Sequence, residues 1–222
     1  MTAVPPPTRP PGRQRDAVRT RAEILQVATA EFARLGYTGA RIDEIAARTR
    51  TTKRMIYYYF GNKEQLFTEV LERAYAVIRQ QEQQLDVGHL DPVSAIRSLA
   101  QLTFDHHEAH PDFIRLVSIE NIHEAEHMTA SPTLDELSSP AIEIIGRILA
   151  EGRAQGLFRA DVDAVDLHAV ISSFCFFRVA NRHTFGALFG RDLTAGDRRE
   201  HYRTMLGDMV IAYLTGGGAA GR

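Results

Sequence analysis

Residues 41–67 read "RIDEIAARTRTTKRMIYYYFGNKEQLF". In "RIDEIAART", Ile42, Ile45 and Ala46 recur at three- and four-residue steps, so a short helix with one apolar face is expected. A brief turn follows, and "TKRMIYYYF" gives a second short helix with Ile56 and Phe60 four apart, facing a core. Thr52 is placed to cap it, because a threonine hydroxyl there accepts a backbone N–H of the first turn. Asn62 starts a longer helix, "KEQLFTEVLERAYAVIRQQEQQL", with Gln65 at the reciprocal capping position. Two short helices across a tight turn, behind a longer first helix, describe a helix-turn-helix.

The outward face of the second short helix carries the chemistry. Lys53 and Arg54 sit at its N-terminal tip, where a recognition helix meets base edges. Tyr57 and Tyr58 are left on the outer face, with hydroxyls suited to phosphate oxygens. Lys63 lies in the first turn of the next helix, where the helix dipole disfavours a cation by roughly 0.3–1 kcal/mol. A DNA phosphate at that helix end reverses the sign.

Working outward, "DAVRTRAEILQVATAEFARLG" places Ile24, Leu25, Ala28, Phe32 and Leu35 on one helical stripe, and Gly36 is a plausible stop. Residues 1–15 are proline-rich and basic and are expected as a flexible arm, with Arg9, Arg13 and Arg15 free to trail into a minor groove. Downstream, "PVSAIRSLAQLTFDHHEAH" begins behind Asp91, and "PDFIRLVSIENIHEAEH" follows the break at Pro111. "SPTLDELSSPAIEIIGRILAEGRAQG" runs to Gly156, and Asp163 caps "AVDLHAVISSFCFFRVANRHTFGALFG". The last helix, "DRREHYRTMLGDMVIAYLT", is stopped by Gly216–Gly218. Alternating strand patterns are missing from the sequence. The expected fold is all-α with about nine helices: an arm over 1–15, a three-helix domain with the helix-turn-helix over 16–62, and a larger helical domain over 63–222.

Charge divides the same way. Residues 1–65 hold 12 Arg and Lys against 6 Asp and Glu, while the remainder carries a net charge of −8. A basic head on an acidic body implies that the head alone meets a polyanion. Apolar runs stay short of the roughly 18 residues that span a bilayer, and the N-terminus lacks the apolar stretch of a signal peptide. A cytoplasmic protein without a membrane partner is expected. The single cysteine, Cys175, sits in the apolar run "VISSFCFF" and reads as a buried, inert thiol.

Over residues 17–70 the sequence resembles the TetR family of one-component bacterial repressors. "IAARTRTTKRMIYYYFGNKEQLF" follows the family pattern of an alanine helix, a turn, a Ser/Thr-Lys start, a Tyr and two further residues before Phe, then Lys-Glu and Leu-Phe. "GYTGARIDEIA" before it fits too. Two positions depart from the pattern. Arg50-Thr51 stand where the family often has Gly-Val, so Arg50 either takes a strained φ > 0 or the turn is built differently. Ala40 stands where a capping Thr is common. The resemblance implies DNA contacts at Arg41, Thr52, Lys53, Arg54, Tyr57, Tyr58 and Lys63, and an inverted-repeat operator in double-stranded DNA. It implies a homodimer joined by the last two helices, whose wide apolar stripes (Phe174, Phe177, Ala180, Phe185 and Leu188; Tyr202, Met205, Leu206, Met209, Val210 and Tyr213) exceed what a one-sided hairpin needs. It also implies an unidentified small-molecule effector that releases DNA. Polar or aromatic candidates for that pocket are Phe104, His107, Arg115, Glu120, Asn121, His123, Phe177, Arg178 and Asn181. No cofactor or metal is called for, and no catalysis.

One alternative comes from "HEAEH", residues 123–127. Two histidines four apart on a helix with an intervening glutamate is the zinc-hydrolase pattern. His123, Glu124 and His127 would supply two ligands and a base, but "MTASPT" follows where a third ligand is needed.

Overall fold

The computed structural model describes residues 11–216, in helices joined by turns and short irregular segments. The helix stop expected at Gly216–Gly218 falls partly outside them, as does the expected arm up to position 10; from Pro11 the backbone is helical. The described residues form eleven α-helices and one short 3₁₀ turn at Gly196–Arg198. The chain divides into two units, Met1–Val70 and Leu71–Arg222.

In the first unit, α1 (Pro11–Gly39), α2 (Ile42–Arg48) and α3 (Lys53–Phe60) bury the expected stripe. Ile24, Ala28, Phe32, Ile45 and Ile56 are fully buried, and Phe60 nearly so. Phe67, from the start of α4 (Lys63–Gln84), packs edge-on to Phe32 with ring centroids 4.9 Å apart. Gly36 leaves helical geometry at φ 72°, three residues before α1 ends. A buried carboxylate, Glu31, ties α1 to α2 by accepting from Arg34 and Arg48, both at 3.0 Å. Arg21 reaches Glu69 at 2.5 Å and lies over the Phe60 ring. Thr52 Oγ1 accepts from the Met55 N–H at 3.2 Å, and Asn62 Oδ1 from Gln65 N–H at 2.8 Å, so both expected caps form.

The turn between α2 and α3 resolves the Arg50 question. Arg50 has φ 50°. Thr51 N–H donates to Ala46 O and Arg50 N–H to Ala47 O, the paired bonds of a Schellman C-cap with arginine where glycine is favoured.

In the second unit, α5 (Pro92–Ala109), α8 (Pro132–Ala154), α9 (Ala164–Ala180) and α11 (Arg199–Thr215) enclose one core. Ile96, Phe104, Ile145, Leu167, Cys175 and Leu206 are its centre. Asp91, Ser131 and Asp163 cap α5, α8 and α9 through first-turn N–H groups. Burial pushes the Cys175 thiol up to about 12, so it is inert.

Eleven helices replace about nine because two expected helices are each broken once. The segment 111–127 divides into α6 (Pro111–Ile122) and α7 (Glu126–Thr129). Glu124 and Ala125 between them take φ 57° and 58°, and Ala125 N–H donates to Glu120 O in a second Schellman cap. The segment 163–190 breaks at Asn181, leaving α10 (Arg182–Phe189). Neither break has a Gly or Pro at its turning point, which is why the periodicity ran through both.

Candidate nucleic-acid interface and ligand cavity

The tip and outer face of α3 present the expected cations and hydroxyls. Lys53, Arg54, Tyr57 and Tyr58 are exposed, while Ile56 and Phe60 on the same helix are buried. Thr52, the cap, is exposed beside them. Among the described residues Arg54 makes no ion pair. Lys53 Nζ instead lies 3.3 Å from Asp43 Oδ1 in the first turn of α2. Arg41 is the exposed N-cap of α2. Lys63 has local partners: its ammonium sits 4.8 Å above the Tyr37 ring and reaches the Thr38 carbonyl at 3.5 Å. Partial burial there lowers its pKa. The Tyr37 face thus answers the unfavourable helix-start position without any phosphate.

The nine effector candidates scatter. His107 and Asn121 line a cavity of about 330 Å³ among the second half of α4, α5, α6 and α9. Phe104 is fully buried in the main core, under the Arg178 guanidinium at 3.9 Å. Arg178 is itself buried, donating to Leu193 O and pairing with Glu108 at 3.2 Å, so it is a structural cation. Glu120 is buried and accepts from His127 N–H, Met128 N–H and His127 Nδ1, bracing the α6–α7 turn. Arg115 is exposed beside Asp112, and His123 is the exposed C-cap of α6. Phe177 is 47% exposed against Phe185, and Asn181 caps the end of α9.

The cavity wall is built mainly by residues outside those nine. Phe113, Val117 and Asn121 recur every four residues on α6; Ala169, Ser172, Ser173 and Phe176 do so at three- and four-residue steps on α9. α4 adds Tyr75, Ile78 and Arg79. These periodic faces were legible, but a polar residue on them looks the same in sequence whether it faces a cavity or a core. Arg79 is buried and pairs with Glu82 at 2.5 Å. Burial raises the Glu82 carboxyl against that pairing. His107 is pushed down to about 4, chiefly by burial, and His168 is lowered by burial and then by Arg79. Both imidazoles are therefore neutral at pH 7. His168 Nε2 and Ser172 Oγ are 3.3 Å apart. A second hollow, about 430 Å³, runs along α4, α5 and α11, where Asp105 is already held by Arg199 at 2.5 Å and Arg203 at 3.1 Å.

The hydrolase alternative fails on geometry. His123 ends α6 and His127 lies in α7, with two left-handed residues between them, so they do not share a helical face. His127 Nδ1 is turned onto Glu120 Oε1 at 3.0 Å, and Glu124 lies in the left-handed turn with an exposed side chain. Among the described residues no group of three or more His, Cys, Asp or Glu side chains is arranged to hold a metal ion. No described helix is long and apolar enough to cross a membrane.

Comparison with known proteins agrees with this geometry. A family model described as "Bacterial regulatory proteins, tetR family" matches residues 24–70, and "Tetracyclin repressor-like, C-terminal domain" matches residues 92–210. The HTH-type transcriptional repressor NicS of Pseudomonas putida is 37% identical over 91% of this chain and 95% of its own length. The HTH-type transcriptional repressor SCO4008 of Streptomyces coelicolor is 41% identical over 50% of this chain and 59% of its own. Among solved structures, the transcriptional regulator SCO4942 of Streptomyces coelicolor superposes with a TM-score of 0.65 at 29% identity, covering 86% of this chain and 97% of that one. The ketosteroid regulator KstR2 of Mycobacterium tuberculosis shares the fold, with the same TM-score at 19% identity over 88% of this chain and 94% of its own. These matches span the helix-turn-helix and the helical body alike, and the chain belongs to the TetR family of transcriptional regulators.

Proposed function

We propose that the protein is a cytoplasmic repressor that binds an inverted-repeat operator as a homodimer and is released by a small molecule held in the 330 Å³ cavity. One observation supports the DNA reading most: α3 buries Ile56 and Phe60 while turning Lys53, Arg54, Tyr57 and Tyr58 outward. Lys53 and Arg54 read base edges, arginine favouring guanine O6 and N7. Arg41, Thr52, Tyr57, Tyr58 and Lys63 hold the backbone and set the register. Lys63 must leave Tyr37 or extend past it to reach a phosphate. Two-fold symmetry of the dimer places the two α3 helices on matching half-sites.

The effector reading rests on the cavity. It is lined by aromatic and aliphatic side chains with a few convergent polar groups, as small-molecule sites are. His107 and Asn121 belong to it. Arg115, Glu120, His123, Phe104, Phe177, Arg178 and Asn181 act in packing, turns or surface instead.

The test is a binding selection from random duplex DNA with the full chain. The expected product is an enriched inverted repeat, bound by the wild type and lost on Arg54→Ala. Recovery of sequences without dyad symmetry would refute the dimeric-operator reading. Cavity ligands found by calorimetry are then added to the operator complex; ligands that bind and leave operator affinity unchanged would refute release.

A further inference from the structure

The chemistry of the cavity wall narrows what it can hold; this step rests on its reading as the effector site. Arg79 Nε and His107 Nδ1 are buried polar atoms without a hydrogen-bond partner. Their residues are only 8% and 5% exposed. The Thr103 backbone favours protonation of His107 without completing a bond to Nδ1. A buried donor left unmade is costly, and few persist in folded proteins. Other buried polar atoms in the described residues also lack partners, among them Arg178 Nη1 and His106 Nε2, but Arg79 and His107 share one cavity wall, where a single ligand acceptor can reach both.

Charge sets the class. Arg79 is the one arginine or lysine among the residues lining the cavity, and that lining includes no carboxylate. Glu82 takes Arg79 Nη1 at 2.5 Å but leaves Nε free. The Arg79 charge is still felt across the cavity, where it opposes protonation of both His107 and His168. Among the lining groups this charge favours an anion over a cation. The walls facing these groups are flat and apolar: Tyr75 and Phe113 meet edge-on at 5.1 Å, with Phe176 and Val117 beside them. A volume of about 330 Å³ sits at the small end of ligand sites and suits one ring with substituents.

We propose that the cavity takes a small aromatic acid, its ring against Phe113, Tyr75 and Phe176 and its carboxylate accepting from Arg79 Nε and His107 Nδ1. The Nδ1–H tautomer of His107 is then the bound one, and Asn121, Ser172 and Ser173 are left to choose among ring substituents.

Calorimetry on the full-length protein tests this with five probes: benzoate, benzamide, benzylamine, cyclohexanecarboxylate and indole. Benzoate is expected to bind at least tenfold more tightly than benzamide and severalfold more tightly than cyclohexanecarboxylate, and benzylamine not at all. Removing the charges together, as Arg79→Met with Glu82→Gln, avoids stranding a buried carboxylate and should shrink the benzoate–benzamide ratio to within about threefold. A thermal melt of that pair reports its fold, and His107→Phe, which keeps the volume apolar, should weaken benzoate about tenfold by itself. Benzamide or benzylamine matching benzoate would overturn the proposal, as would an undiminished ratio in the charge-free pair. Ser172→Phe fills the cavity from α9. If indole binds, Ser172→Phe blocks it and benzoate is not preferred, the cavity stands as a ligand site and the acid class falls. If no probe binds, the cavity reading falls with it.

Discussion

Arg50 and Glu124 occupy equivalent places: each is the left-handed residue of a Schellman cap, closing α2 and α6 respectively. The same cap closes α8 with Gly156, at φ 69°, where no Cβ resists. A left-handed non-glycine residue costs roughly 1 kcal/mol, so Arg50→Gly should raise the melting midpoint of the first unit by a few degrees; an unchanged or lower midpoint would mean that Arg50 gains its strain back through contacts. A second residue-scale expectation concerns acid. His107 is held neutral in the fold down to about pH 4, whereas in the unfolded chain it takes a proton near 6.5. The unfolded state thus binds more protons between those values. The stability His107 contributes is present above the unfolded pKa and drains as pH falls toward 4, by up to about 1.4 kcal/mol per pH unit. His106, pushed down to about 3 mainly by burial, acts in the same sense. Denaturation followed from pH 7 to 4 should show this slope in the wild type and a shallower one in His107→Gln; equal slopes would place the proton uptake elsewhere. A third concerns the α3 tip. Lys53→Ala or Arg54→Ala should weaken operator binding by roughly 1–3 kcal/mol and relax specificity, while Lys63→Ala should weaken all duplexes alike and flatten the salt slope. Lys53 has to share its ammonium with Asp43, so its loss should be the smaller of the two. The reverse order would mean that the Asp43 pair opens on DNA.

At the scale of elements, α3 was readable from its sequence because every local signal agrees: a Thr52 cap, two apolar residues four apart, and a tight turn before it. The caps at Asp91 and Asp163 were readable for the same reason. The breaks after Ile122 and at Asn181 were not: the first rests on the Glu120 carboxylate accepting from His127 and Met128 seven and eight residues on, a bond that apolar periodicity does not register, and no glycine or proline marks the second. The cavity was hidden for a related cause. Periodicity names the buried face of α6 or α9, but whether Arg79 and His168 face packed side chains or open space depends on all four helices meeting. α4 belongs to both units, contributing Lys63 to the first and Tyr75, Ile78 and Arg79 to the cavity of the second. We propose that this continuous helix couples ligand to DNA. A ligand that releases DNA must favour the DNA-incompetent form, a tenfold bias being about 1.4 kcal/mol. Arg73→Gly with Ala76→Gly, both exposed in mid-helix, loosens α4 by about 1 kcal/mol per site without touching the cavity wall. Operator affinity should stay within a few-fold of wild type while the ligand effect on it shrinks. A full ligand response in that variant would rule α4 out as the route.

The whole molecule carries two large-scale asymmetries. Net charge is +6 over residues 1–65 and −8 over the rest, so attraction to DNA arises at one end of the sequence and falls steeply with salt. The other asymmetry is apolar. On α11, Tyr202, Leu206 and Val210 are spent on the core, whereas Met209 and Tyr213 remain exposed. Val165, Val170 and Phe177 on α9 and Leu188 and Phe189 on α10 are exposed as well. Scattered apolar side chains are ordinary on a surface, but seven on three helices near the C-terminus form the kind of surplus that a self-complementary contact buries. We propose a dimer through residues about 163–215, which would cover the apolar side chains left exposed on these last helices. Met209→Asp would place a carboxylate in that contact, where an unpaired charge costs several kcal/mol. Sedimentation should find wild-type dimers at micromolar concentration and Met209→Asp monomers or insoluble protein. The monomer keeps its α3 face and its cavity, so it should still bind cavity ligands, yet lose most of its preference for an inverted repeat over a single half-site. A wild-type chain that sediments as a stable monomer would remove the interface. A Met209→Asp dimer that still binds the full repeat would instead move the interface off α11.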